Sequence, residues 1–187
     1  MSGSVNILGI DPGFASVGIV IVGMPSVGAP SLLYGDVWHT SKSSKKQNVL
    51  AANDNVRRTR LLARQFLSII DQYQVKLIAA EYMSFPRNAS NAAKMALCWG
   101  AISTVCEVLD PMPLLQASPQ NVKKSLCDSA DASKEDVWKA ACVHYPNLEA
   151  MLDAQAKGDR EHLGDAAAVT VTVRDSDEMR LLRSMLR

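Results

Sequence analysis

"ILGIDPGFASVGIVIV", residues 7–22, is apolar almost from end to end, yet one carboxylate, Asp11, lies inside it, with Pro12 and Gly13 directly after. The Asp-Pro-Gly triplet is a turn signal between two strand-like runs, about 4–11 and 16–23. A carboxylate buried without a partner costs several kcal/mol or takes up a proton. An acid kept at the end of such a strand therefore points to something that binds it.

Outward from this stretch, the Pro/Gly-rich "GMPSVGAP" (23–30) leads to a third strand-like segment at 31–39. Three strands with short links read as an antiparallel meander, and Gly18 inside the second marks a close backbone approach or a bulge. From about Asp54 the period changes. Val56, Leu62, Phe66, Ile69, Ile70 and Tyr73 recur at helical spacing, with Asn53 or Asp54 as the cap. "VKLIAAEY" (75–82) is a short buried-type strand ending in Glu81. The polar "SFPRNASN" then opens a helix over about 89–109, and "MPLLQAS" reads as a fifth strand. "SPQNVKKSL" starts with Ser-Pro, a good helix opening, and "SKEDVWKAACVHY" pairs Ser133 with Asp136 in a near capping box. A final helix runs from about Arg160 into "AAAVTVTV", whose β-branched residues weaken its end. The order predicts an α/β fold: a five-stranded mixed sheet, antiparallel strands 1–3 joined to parallel strands through crossover helices, with both faces covered. No repeat or linker divides residues 1–187, so one domain is expected.

Composition sets outer limits. A chain of 187 residues that is 48% hydrophobic and 21% charged is globular rather than disordered or fibrous. Its apolar runs are too short to cross a bilayer, and "MSGSVN" lacks the basic start of a signal peptide, so a cytoplasmic protein is expected. Cys98, Cys106, Cys127 and Cys142 form no CxxC pair and read as reduced thiols. Net charge is +1, but cations gather in "SKSSKK" (41–46), "RRTR" (57–60), Lys123–Lys124 and the final "MRLLRSMLR". Each cluster alone is a solvated face; several of them around one acidic site would track phosphates.

Three places set an acid in an apolar surround: Asp11, Glu81 after "LIAA", and Asp165 in "EHLGDAAAVTV", with His162 three residues earlier on the same helix face. Singly, each has an ordinary explanation: a turn cap, a solvated strand end, a satisfied histidine, a helix-terminal charge. Jointly, every interruption of a strong apolar run is a ligand type for hard cations. Three carboxylates brought together repel, and one is forced to protonate. Two divalent cations offset three carboxylates and one phosphodiester, which is the arithmetic of two-metal hydrolysis. Such a donor set suits Mg2+, or Mn2+ given one imidazole. Spacing alone does not separate His162 from its neighbours Glu161 and Asp159.

"ILGIDPG", "AAEYMSFPRNASNAAKMALCWG", "SPQNVKKSL…ASKEDV" and "HLGDAAAV", in this order and spacing, resemble the RuvC family of Holliday junction resolvases over nearly the whole chain. The resemblance implies an RNase H-like fold, a homodimer, two Mg2+ (or Mn2+) ions per active site, and paired nicking of four-way DNA junctions. It assigns Asp11, Glu81, His162 and Asp165 as metal-binding catalytic residues and prefers His162 to Glu161. It sets Lys123 and Lys134 near the scissile phosphate, with Lys124 beside them on the DNA. In the junction-probing loop the family's aromatic position holds Ser84, with Phe85 next to it and Arg87 placed to hold a phosphate. That shift suggests a member able to cut several branched DNAs, as viral members do. The exposed faces of the helices around 54–72 and 89–109 are where dimer and DNA contacts are expected. "GIDPGFASVGIVIV" also resembles the first phosphate loop of actin-like ATPases, but those need two such halves. A non-catalytic DNA-binding module, and an RNase H-like nuclease acting on RNA or simple flaps, complete the alternatives.

Overall fold

The structure is a computed structural model that describes residues 5–25, 27–82, 88–109 and 112–185. Its strands are β1 (Val5–Asp11), β2 (Ser16–Met24), β3 (Ser31–His39), β4 (Val75–Glu81) and β5 (Leu114–Ala117). The helices are α1 (Ala51–Tyr73), α2 (Ala89–Val108), α3 (Pro119–Cys127), α4 (Lys134–His144), α5 (Leu148–Ala154), α6 (Arg160–Arg174) and α7 (Asp177–Met185). The sheet runs β3-β2-β1-β4-β5, with β1, β2 and β3 antiparallel and β4 parallel to both β1 and β5.

Strand alternation sorts the core into two layers. Ile7 on β1, Val20 and Val22 on β2, and Leu77 and Ala79 on β4 face α3, α4 and α6. Leu8 and Ile10, Ile19 and Ile21, and Ile78 and Ala80 face α1 and α2. The first layer explains the run "DAAAV". Ala166, Ala167 and Ala168 are fully buried, and α6 lies against β1 and β2 over two glycines. A Cβ on Gly9 would stand 2.6 Å from the Ala166 carbonyl oxygen, and one on Gly18 1.9 Å from that of His162. The interruption at Gly18 is thus a close helix approach; the register shift in β2 falls further on, between Ile21 and Val22.

Helix starts follow local chemistry where the caps are polar. Asn88 accepts from the Ser90 and Asn91 amides, Ser118 caps α3 with Pro119 behind it, and Ser133 forms a capping box with Asp136. α1 differs from expectation: it begins at Ala51, before Asn53 and Asp54, with Leu50 as its cap. Asp54 is buried within the first turn, where it accepts from the Ser43 hydroxyl at 2.6 Å and from Arg57, so its carboxylate ties Ser43 to the helix. The helix beginning at Arg160 is not the last. α7 follows it after Asp175 and Ser176, and Met179 returns into the core.

Arg58, 3% exposed, joins three segments beside the Asp-Pro-Gly turn. Its guanidinium donates to the Thr40 hydroxyl at 2.8 Å, to the Thr40 carbonyl at 3.0 Å and to the Phe14 carbonyl at 3.2 Å. It also lies 4.2 Å from the centre of the Phe14 ring. Carbonyl dipoles, a hydroxyl and an aromatic face thus compensate a buried charge, and the turn after Asp11 is held to α1 and to the end of β3. All four cysteines are free, Cys98 and Cys106 buried and the other two half-buried. Among the described residues no helix is long and apolar enough to cross a membrane.

Candidate active site

In the parallel pair, Ile10 stands beside Ala80, so the next residues, Asp11 and Glu81, come side by side at the C-terminal ends of β1 and β4. Ligand sites of open α/β sheets gather at such strand ends. By alternation both acids share the face covered by α6. The close seat of α6 over Gly18 brings its first turns to the same place. His162 Nδ1 lies 2.6 Å from Asp11 Oδ2. Asp165 accepts from Lys134 Nζ at 3.0 Å and from Trp138 Nε1 at 3.4 Å. Lys134 also donates to Glu161. Asp11, Glu81, Lys134, Glu161, His162 and Asp165 line one open cleft of about 230 Å³, which Pro12, Gly13, Tyr82, Met95 and Trp99 complete.

The acids strain one another. Burial, then Asp11 and Asp165, push Glu81 up to about 8 from its ordinary 4.5. Burial and Asp11 also raise Asp165. The hydrogen bond to Asp11 raises His162 and favours its imidazolium form. Burial works against the Lys134 ammonium, but its bonds to Glu161 and Asp165 hold it above its usual range. Among the described residues no three His, Cys, Asp or Glu side chains form a ready-made ion cage. The protein's own cations, His162 on Asp11 and Lys134 on Asp165 and Glu161, offset the acids instead. The donor set still fits hard divalent cations, being oxygen-rich with one imidazole.

This charge state predicts a pH dependence. The metal-free folded protein keeps a proton on Glu81 up to about pH 8, whereas the unfolded chain releases it near 4.5. The folded state therefore binds more protons across that window, and stability falls as pH rises through it. Loss of the His162 proton above its raised pKa acts in the same direction. Melting in chelator is expected at lower temperature near pH 8.5 than near pH 6, and added Mn2+ should restore most at the higher pH. An unchanged slope in Glu81→Gln would refute the assignment.

Of the residues singled out in the sequence, Asp11, Glu81, His162, Asp165 and Lys134 meet in the cleft. Glu161 also lines it, engaged by Lys134, whereas Asp159 contacts His39 at 3.2 Å. Lys123 and Lys124 lie on α3 and are not among the lining residues. Ser84, Phe85 and Arg87 lie outside the described residues. Sequence reasoning missed Trp138, Tyr82, Met95 and Trp99. The signal available was spacing: Trp138 follows Lys134, and Trp99 follows Met95, by four residues on one helix.

A sheet of this order, with acids closing two parallel strands and an acid-bearing helix laid across them, is an RNase H-like fold. The family model of crossover junction endodeoxyribonuclease RuvC matches residues 7–173, and the chain belongs to that family, one of metal-dependent nucleases. RuvC of Pseudothermotoga lettingae is 30% identical over 131 residues, 70% of this chain and 74% of that protein. RuvC of Thermus thermophilus is 28% identical over 168 residues, 89% of this chain and 91% of that one. Two solved structures share the fold. Thermus thermophilus RuvC in complex with Holliday junction substrate superposes with a TM-score of 0.71 at 24% identity, covering 90% of this chain and 92% of that one. The yeast mitochondrial Holliday junction resolvase Ydc2 gives 0.62 at 12% identity, covering 92% and 78%.

Proposed function

We propose that this chain, as one nuclease domain of a homodimer, cuts four-way DNA junctions by paired phosphodiester hydrolysis at two Mg2+ or Mn2+ ions. The observation that carries the reading is the convergence of Asp11, Glu81, His162 and Asp165 on one cleft at the strand ends. These four side chains would hold the ions. When bound, such ions activate a water and stabilise the leaving oxygen. To serve as ligands, His162 gives up its proton and its contact with Asp11, and Glu81 gives up the proton that burial and its acidic neighbours impose. Lys134, held here between Glu161 and Asp165, would set its ammonium beside the charge developing on the phosphate. Lys123 and Lys124, on the adjoining α3, would hold DNA outside the cleft, and Ser84, Phe85 and Arg87 would contact it as well. The described residues of one chain form one such cleft, and two cuts related by a twofold axis need two chains.

The test is a labelled four-way junction, incubated with purified protein and Mg2+ or Mn2+ beside linear duplex and a flap. Symmetric nicks on the junction alone are expected. Equal cutting of the flap would move the assignment to a general branched-DNA nuclease, and cutting of none would end it.

A further inference from the structure

We infer that the cleft has a second, aromatic wall, Tyr82 with Trp99 and Met95, on which the nucleotide base beside the scissile phosphate stacks. The inference rests on the nuclease reading above and extends it from the phosphate to the base.

The cleft is two-sided. Asp165, His162 and Lys134 come from α6 and α4 on one face of the sheet, whereas Met95 and Trp99 come from α2 on the other. Tyr82 follows Glu81 directly, and its amide donates to the Ala117 carbonyl at 3.0 Å, which continues the β4–β5 pairing by one residue. Its amide is thus tied to the strand next to the one that presents the catalytic acid, while the residue remains 47% exposed. Among the described residues, Tyr82 is the one aromatic side chain that stands exposed, in a chain with only 5% aromatic residues. Trp99 packs on the core of the α2 face, and its Nε1–H is buried without a hydrogen-bond acceptor among the described residues. A buried donor left unpaired is costly, and an acceptor carried in by a ligand relieves the cost.

A nucleotide has the matching halves. Its phosphate belongs with cations and acids, and its base presents a π-face that stacks on aromatic side chains whatever the sequence. The wall carries no formal charge, and its polar atoms are limited to one phenol and one indole N–H, so it recognises base surface rather than base identity. Firm stacking next to a rigid strand end would fix the scissile bond relative to Asp11 and Glu81, which acts on rate through positioning.

The experiment combines protein and DNA changes in one cycle. Cleavage positions are mapped on a fixed junction with wild-type protein, and junctions are then made with an abasic residue on either side of the scissile phosphate. Tyr82→Ala is expected to slow single-turnover cleavage of the intact junction roughly tenfold, with Tyr82→Phe recovering most of the loss. One abasic junction should slow the wild type to a similar degree, and Tyr82→Ala should lose nothing more on it. Independent, multiplying losses would overturn the inference, as would intact-junction cleavage by Tyr82→Ala at the wild-type rate. Trp99→Phe, which keeps a ring and removes the N–H, is expected to give a smaller loss than Tyr82→Ala; the reverse order would assign the effect to core packing. A wild-type protein that cuts no junction would instead remove the nuclease reading beneath it.

Discussion

Asp11→Asn should leave junction binding intact or tighter and slow cleavage by roughly a thousandfold or more, because it removes several kcal/mol of metal-borne transition-state stabilisation. The substitution keeps the size of the side chain and one acceptor oxygen, so the turn held by Arg58 through Phe14 has no reason to move. What it removes is charge. Asp11 is the leading electrostatic cause, after burial, of the raised Glu81 and Asp165. It also raises His162 through the 2.6 Å hydrogen bond. In Asp11→Asn all three groups should move back towards their ordinary values. The metal-free variant should therefore melt higher than wild type near pH 8, where wild-type repulsion is largest, while Mn2+ stabilises it less. Cleavage assay, junction binding and melting with and without Mn2+ read three separate consequences of one charge. Lost junction binding, or a lower metal-free melting temperature at pH 8, would recast Asp11 as a structural residue.

Much of this was legible in the residues themselves, for reasons that differ along the chain. The first three strands could be read to within a residue or so because apolar runs bounded by Asp-Pro-Gly or Pro/Gly turns are local signals. Ser118-Pro119 and the Ser133–Asp136 box marked α3 and α4 by the same locality. α1 escaped its predicted start because Asp54, a good cap by type, is held by Ser43 and Arg57 instead. α5, at seven residues, is too short for a helical period to register against its surroundings. In the site, Asp11, Glu81 and Asp165 stood out because an acid in an apolar run is anomalous wherever the chain folds. Trp99 and Met95 did not, because their types are those of an ordinary core. The Lys134 bridge to Glu161 and Asp165 joins residues 27 and 31 positions apart and exists only once α4 packs on α6.

Gly18→Ala tests whether the fold itself sets that site. Gly18 pairs with Asp11 on β1, and the position its Cβ would take is 1.9 Å from the His162 oxygen and 2.4 Å from the His162 carbonyl carbon. Both obstacles are main chain, so no rotamer change relieves them, and either β2 or the first turn of α6 must shift. Overpacking costs about 1–3 kcal/mol, and a backbone obstacle places this one at the upper end. For a chain of this size that corresponds to a melting temperature lower by roughly 10 °C. The displacement falls on the turn that carries His162 and, one turn on, Asp165, so Mn2+ affinity should fall with stability and cleavage should fall further than either. Gly100→Ala supplies the contrast. Gly100 lies on the exposed side of α2 with nothing within 4 Å of the added methyl. That substitution should stabilise the helix by up to about 1 kcal/mol and leave Mn2+ affinity unchanged. If Gly18→Ala melted with the wild type and bound Mn2+ equally well, the close seat of α6 would not be what brings His162 to Asp11.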